Sequence, residues 1–520
     1  MISNAAPPIA ILGAGPGGLS AAMLLAASGL RVRIYEAQPE IGGRTGRLTV
    51  DGFGFDRGPT FFLMPYVLEE IFSAAGRRLG DEVELTRLDP MYRLIVGQGP
   101  DQRPITLDAT QDLDRMAARI GRIEPRDAEG FGRFIRDNRA KLRLMEPILR
   151  SPIRSPLDLL KFPDPRLGLT LKPHLSVFEL SERYFSHPAV KLAVGFQSKY
   201  IGMSPYNCPS LFTILPFIEY EYGVWHPTGG CHAIIQAMAR ACTDMGVEII
   251  TDAPVQSIDF DGRRARAVVT RGQRHAHDHI LINADATWAL KNLIPPSLRP
   301  DWTDQRIDSA RYSCSTCMLY LGVRGEVDLP HHTIAIASDY KGNLDDISIH
   351  GRLSDEPSMY VCNPSAIDPT LAPPGCSSLY VLLPTPNTRS DIDWNAQRPA
   401  LRARMMDQLR TRFGIHDIED RIVIERMVTP ADWQGANITF GATFNLAHNL
   451  GQMLHRRPQH RMPGADGVWF VGGGTHPGSG LPVIFLSSQI TARLVCDELG
   501  VDYAGDAVPT MSSTEPAHVA

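Results

Sequence analysis

Nowhere does this chain of 520 residues reach the run of about 18 apolar residues that a membrane-spanning helix needs. It also has little net charge: 52 Lys and Arg against 57 Asp and Glu give −5. A protein that binds nucleic acid carries a basic footprint, so nucleic acid is not expected as a partner. Cysteine is sparse and scattered, eight in all with the first at Cys208. That excludes a disulfide framework and suits a reducing, cytoplasmic setting. Cys314 and Cys317 form a single CxxC in RYSCSTCMLYLGV. A four-cysteine zinc site needs a second pair, and the run reads as a strand holding small core residues, with a redox dithiol the other reading. The start, MISNAAPP, lacks the basic and apolar regions of a secretory signal. His275, His277 and His279 alternate and so share one strand face. Asp278 points the other way, so an exposed polar face is expected there and no metal. What is present is apolar bulk: 43% of residues are hydrophobic, enough for the cores of two or three domains.

The first strong pattern is ILGAGPGGLS at 11–20. A short apolar strand runs into Gly13, Gly15 and Gly18. An Ala- and Leu-rich helix follows and stops at Gly29, and RVRIYE is a second strand ending at Glu36. This is G-x-G-x-x-G in a strand–turn–helix–strand setting. Gly13 permits the tight turn, Gly15 lets backbone approach a pyrophosphate, and Gly18 lets helix and sheet pack closely. The helix N-terminus directs its N–H groups at the phosphates, and Glu36 accepts from a ribose diol. The pattern predicts a bound dinucleotide in an α/β, Rossmann-like domain.

After Glu36 the chain reads AQPEIGGRTGRL. Gly42 and Gly43 offer close backbone approach, while Arg44 and Arg47 bring fixed positive charge to the same pyrophosphate. The extended pattern E-x5-GGR-xx-R resembles the second signature of FAD-containing amine oxidases and phytoene desaturases. DRGPTFF, from Asp56, resembles the D-x-G-P segment of that family, which implies that Gly58, Pro59 and Thr60 lie near the flavin. No second GxGxxG and no early cysteine pair mark a nicotinamide-linked disulfide reductase. One FAD and no tightly bound nicotinamide are expected.

The middle of the chain changes composition. Residues 110–173 hold 14 Lys and Arg against 9 Asp and Glu. Within them FGRFIRDNRAKLRLMEPIL places Phe131, Phe134, Ile135, Leu142, Met145 and Leu149 near helical spacing, with basic residues between. Such a helix can lie on an anionic membrane or pack one face on the protein body. SLFTILPFIEYEYGVWHPTGG, 210–230, suits a large apolar substrate or a buried core strand. VEIITDAPVQSIDF and HDHILINADAT resemble the family's return to the FAD domain, with Val255 matching the position whose backbone meets the adenine. Short alternating strands between 288 and 428 predict an antiparallel sheet.

A second glycine-rich turn, VGGGTHPGSGLP at 471–482, lies between a strand and a helix. Its T-H-P-G-x-G-x-P core resembles the C-terminal signature of bacterial-type carotenoid desaturases, and GATFNLAHNLGQMLHRRPQHR resembles that family's preceding segment. The resemblance covers nearly the whole chain. It implies that both glycine loops serve one noncovalent FAD, with Gly473 and Gly474 by the pyrophosphate and ribityl chain and Leu481, Pro482 and Val483 by the ring. No cysteine lies between 471 and 488 to link a flavin.

The implied organisation is an FAD-binding domain in three parts (1–100, 226–287 and 465–503). Between them lie a helical, membrane-facing region (101–225) and an α+β substrate domain (288–464), and residues 504–520 form a disordered tail. The implied activity is desaturation of a long polyene such as phytoene or a thirty-carbon diapophytoene by a cytoplasmic, peripherally membrane-associated protein, with a quinone or dioxygen as electron acceptor. No acid–base constellation stands out. His476, inside the flavin motif, is the one candidate proton acceptor, with a structural role in its turn as the other reading. A carotenoid oxygenase or saturase on the same scaffold, a flavin amine oxidase, and a noncatalytic FAD-stabilised binding protein are the rivals.

Overall fold

The computed structural model describes residues 7–97, 104–164 and 166–509. The fold is built around a five-stranded, fully parallel sheet drawn from three distant stretches of chain. Its order is Val468–Phe470, Ile280–Ile282, Ile9–Leu12, Val32–Tyr35, Glu248–Ile250. The central strand IAIL is apolar throughout because helices cover both faces, so all four residues are buried. The helix Pro16–Ala27 follows it and packs against helices Cys231–Asp244 and Leu481–Leu499. Small residues let the first and last helices touch: Ser20 Oγ lies 2.7 Å from Ser488 Oγ, which also donates to the Gly17 carbonyl.

A second sheet of seven strands stands beside the first. Its order is Ile422–Val428, Ser315–Arg324, Cys376–Thr385, Met359–Cys362, His332–Ile336, Tyr92–Val96, Ile105–Ala109. Pairing is antiparallel except between His332–Ile336 and Tyr92–Val96. The early strands Tyr92–Val96 and Ile105–Ala109 thus join the sheet that the sequence places after residue 288. A three-stranded meander, Val255–Asp261, Arg264–Thr270 and Gln273–Ala276, closes one side.

Four expectations need correction. The basic helix runs from Pro125 to Leu149, and Phe131, Phe134, Ile135, Leu142 and Met145 are all buried in the main core. Its apolar face is covered by protein and is not a membrane face; periodicity reports the face but not what covers it. The aromatic run is a helix, Ile214–Tyr222, not a strand. His277 is fully buried, bonded to Tyr35 OH at 2.9 Å and the Pro8 carbonyl at 2.6 Å, so that strand face is not an exposed polar one. Residues Ala504–Ala507 form a short 3-10 turn, with the Ala504 amide donating to Ser28 Oγ and Tyr503 buried. The expected loose tail therefore does not begin at 504; its remainder, 510–520, lies outside the described residues.

Candidate cofactor and active site

Four loops meet above the carboxyl ends of the parallel strands, where open α/β sheets bind ligands. In the first, Gly13 takes φ +106° and Gly15 caps the helix Pro16–Ala27 with no side chain on its amides. A Cβ on Gly18 would run into the Gly13 carbonyl oxygen, so this glycine is demanded by packing. Glu36 is buried, and its carboxylate accepts from the Ala14 amide at 2.7 Å and the Gln38 amide at 2.9 Å. One bond per oxygen leaves lone pairs for ribose hydroxyls. Val255 lies close by, because the Ala253 amide donates to the Glu36 carbonyl at 2.8 Å.

The second loop docks on the first through the Gly42 amide and Ala14 carbonyl, 2.9 Å. Gly43, at φ +54°, faces Gly15, and a Cβ there would meet only the Gly15 Cα at 3.8 Å. The slot between the two backbones and the uncapped helix end fit a pyrophosphate. Arg47 Nε is buried with no hydrogen-bond partner among the described residues, its guanidinium lying over Gly54 on the paired strand. Arg44 instead crosses to the far side: it donates to the Thr443 carbonyl at 2.7 Å and to Asn445 Oδ1 at 3.2 Å. The third segment follows, with the Arg57 amide on the Gly46 carbonyl. The Gly58 carbonyl accepts from Tyr380 OH at 2.9 Å, and beyond Pro59 the Thr60 hydroxyl lies 2.7 Å from Tyr360 OH.

The C-terminal loop completes the ring. Gly472 abuts Gly17, where a Cβ would come within 3.2 Å of the Gly472 Cα. Gly473 lies beside Asn445, whose amide reaches Ser479 Oγ at 3.3 Å. Gly474 is pressed against Ala286. Leu481, Pro482 and Val483 begin the last helix. His476 is buried and donates from Nε2 to the Ile148 carbonyl at 3.0 Å, and burial lowers its pKa to about 4. It ties the loop to the basic helix.

Asn283 escaped the sequence reading as a site residue. Its amide donates to the Gly13 carbonyl at 3.0 Å, and its side chain lies within reach of Gly15, Gly17, Gly18 and Gly472. Its signal was the N-A-D run at 283–285 within HDHILINADAT, but its wedge between two loops depends on segments far apart in sequence.

Beside Thr60 an aromatic wall forms. The Phe61 ring stacks on His332 at 3.9 Å between centroids and lies near Tyr200, Tyr360 and Tyr92. Behind it Glu219 is fully buried, accepting from Tyr92 OH and from Gln197 Nε2, both at 3.1 Å. Burial raises its carboxyl to about 7. His331, His332 and Cys362 bring metal-type donor atoms within 4.8 Å of one another, the one such cluster among the described residues. His331 Nδ1, His332 Nδ1 and Cys362 Sγ each meet a protein partner, whereas His332 Nε2 has none.

The chain matches the family model of flavin-containing amine oxidoreductases over residues 16–496. It is 41% identical to a 4,4'-diapophytoene desaturase (4,4'-diapolycopene-forming) of Methylomonas sp, covering 94% of both chains. It is 37% identical to an all-trans-zeta-carotene desaturase of Myxococcus xanthus, over 95% of this chain and 94% of that one. In fold it is similar to an oxidoreductase from Methanosarcina mazei, with a TM-score of 0.62 at 15% identity, covering 94% of this chain and all of the other. A putrescine oxidase triple mutant gives 0.60 at 12% identity, covering 95% and 99%. With glycine loops that fit a pyrophosphate and near-complete matches of this kind, the chain belongs to the flavin-containing amine oxidoreductase family, and its cofactor is FAD.

Proposed function

We propose that this protein is a carotenoid desaturase that removes a hydride and a proton from adjacent carbons of a long polyene precursor. The observation that carries the reading is the match along 94% of the chain to a diapophytoene desaturase, with zeta-carotene and phytoene desaturases close behind. When bound, FAD supplies the hydride acceptor at its N5. The protein's part is alignment and dryness. Gly13, Gly15, Gly43 and Arg47 hold the pyrophosphate, Glu36 the ribose, and Val255 lines the adenine end. Gly58 to Thr60 and Leu481 to Val483 border the ring, and the wall around Phe61 excludes water from a charge developing on the polyene.

The decisive measurement is pigment analysis of a host that makes the polyene precursor. Cells expressing the chain should accumulate more conjugated, red-shifted products. Separate hosts supplying thirty- and forty-carbon precursors assign chain length. Amine-dependent peroxide formation without new polyenes would place the protein with the amine oxidases instead.

We further propose that it is cytoplasmic and works peripherally on a membrane surface, returning electrons to a quinone or dioxygen. A lipid-dissolved substrate and the basic composition of 110–173 support this. So does the turn Pro156–Lys161, where Leu157 and Leu160 are 72% and 73% exposed beside Arg154 and Lys161. No helix among the described residues is long and apolar enough to cross a membrane. Anionic liposomes should sediment the protein in a salt-sensitive way, and Leu157→Asp with Leu160→Asp should abolish it. Equal binding to neutral and anionic vesicles at all salt concentrations would refute the electrostatic part.

A further inference from the structure

On the desaturase reading a proton is released at the polyene, which we place along the aromatic wall around Phe61, and His476, the candidate from sequence, is tied to a backbone carbonyl. A different set of histidines is better arranged to take that proton. His226, His331 and His332 come from two distant segments and lie in one hydrogen-bonded line. Asp368 Oδ2 is 2.8 Å from His226 Nε2, and His226 Nδ1 is 3.0 Å from His331 Nε2. His331 Nδ1 is 3.3 Å from His332 Nδ1, which also lies 2.7 Å from Tyr360 OH. All three imidazoles are at most 5% exposed.

The tautomers follow from one end. The Asp368 carboxylate only accepts, so His226 must carry its proton on Nε2. A neutral His226 then offers a bare Nδ1, which accepts from His331 Nε2–H. His331 is left with a bare Nδ1, which accepts from His332 Nδ1–H at 3.3 Å, a stronger donor than the Cys362 thiol at 3.7 Å. That leaves His332 Nε2 as a naked lone pair. It is indeed a buried nitrogen with no hydrogen-bond partner. Tyr360 OH is free to donate to Thr60 Oγ1, 2.7 Å away. Burial, with the neighbouring imidazoles, holds His331 and His332 in the neutral form this pattern needs. The ring bearing the lone pair stacks on Phe61, the residue after Thr60.

We propose that His332 Nε2 accepts the proton lost from the polyene and that His331, His226 and Asp368 relay it towards the surface. The proposal rests on the desaturase reading above. The C–H bond adjacent to the hydride donor carbon breaks, its electron pair closes the new double bond, and its proton goes to His332 Nε2. His332 Nδ1–H then passes to His331 Nδ1, and His331 Nε2–H to His226 Nδ1. The excess proton rests on His226 as an imidazolium against Asp368. Asp368 is buried and bonded to exposed Thr370, where the proton passes from His226 Nε2 through the carboxylate to water, and the three imidazoles then turn over to regain their starting tautomers before the next cycle. Its carboxylate is fixed by the Gly229 amide and by the Thr370 amide and hydroxyl, and these bonds with His226 hold it well below the usual range despite burial. A base that removes a proton in this way contributes typically 10²–10⁴-fold.

The first test is on FAD-loaded wild-type protein labelled with 15N-histidine. Long-range 1H–15N spectra should show His226 and His331 protonated at Nε2 and His332 at Nδ1. A proton on His332 Nε2, or one equivalent of bound zinc or iron in the protein as isolated, overturns the relay. The second test is His332→Phe, which keeps the stack on Phe61 and removes both nitrogens. It should retain FAD while desaturation per bound flavin falls about 100-fold or more. Cys362→Ser, touching His331 only through a 3.7 Å contact, should stay near wild type. A per-flavin rate in His332→Phe within threefold of wild type refutes the acceptor role. Wild-type protein that forms no polyene fails the functional reading itself, and the acceptor role with it.

Discussion

Two buried charges of opposite kind oppose each other across neutral pH. Glu219 is raised to about 7 and Lys141 is lowered to about 7, each by burial. Lys141 Nζ donates to the Ser210 carbonyl at 3.1 Å and Thr213 Oγ1 at 2.7 Å, and no carboxylate among the described residues pairs with it. For Glu219 the folded protein holds the proton more tightly than the unfolded chain, so stability falls as pH rises from about 4.5 to 7. For Lys141 the unfolded chain holds it more tightly, so stability rises with pH from about 7 to 10.5. Glu219→Gln should therefore raise the melting temperature at pH 8, by a gain on the order of 3 kcal/mol at most, and matter little at pH 4.5. Thermal melts across pH check it; an equal effect at both pH values would show that Glu219 does not titrate as described. Neither residue was legible as special in the sequence. A Glu between aromatics and a Lys on a basic helix read as surface residues until burial is known. Glu36, in contrast, was legible from spacing alone, and Glu36→Ala should weaken FAD binding by about 1.5–3 kcal/mol in flavin titrations.

At the scale of elements, the glycine loops make distinct demands. Gly18 has no room for a Cβ, so Gly18→Ala should lower stability by about 1–3 kcal/mol and deplete bound flavin together. Gly480 differs: only Val483 Cγ2, at 3.7 Å, meets its Cβ, but its φ is +120°. Gly480→Leu should leave the pyrophosphate loop intact and retain part of the FAD. Polyene formed per bound flavin should drop on the order of 100-fold through displacement of the ring-facing turn. A normal per-flavin rate would reduce the loop to a helix cap. Both loops were readable because short-range glycine spacing encodes turn geometry directly. The basic helix misled because its hydrophobic stripe says only that something covers it. The histidine relay was invisible because 226, 331–332 and 368 acquire meaning only when the short strand Trp225–Pro227 and the second sheet meet.

For the whole molecule, the parallel sheet joins strands from 9–35, 248–282 and 468–470, and the two glycine loops touch at Gly17 and Gly472. On the proposed reading, one FAD bridging both loops would make the chain's two glycine turns parts of a single binding unit. Acid precipitation should release the flavin, since no cysteine lies between 471 and 488. Removal of FAD should then loosen both ends at once. Hydrogen exchange of 13–18 and of 472–484 should slow together on adding FAD to the apoprotein, with the same concentration dependence. The melting temperature should rise in parallel, by the equivalent of about 2.7 kcal/mol when free FAD is 100 times its Kd. Two separate ligand sites would protect the two loops at different concentrations. Protection of 13–18 alone would mean that the C-terminal loop packs without touching the cofactor. Only joint protection is compatible with two glycine turns, some 460 residues apart, closing on one flavin.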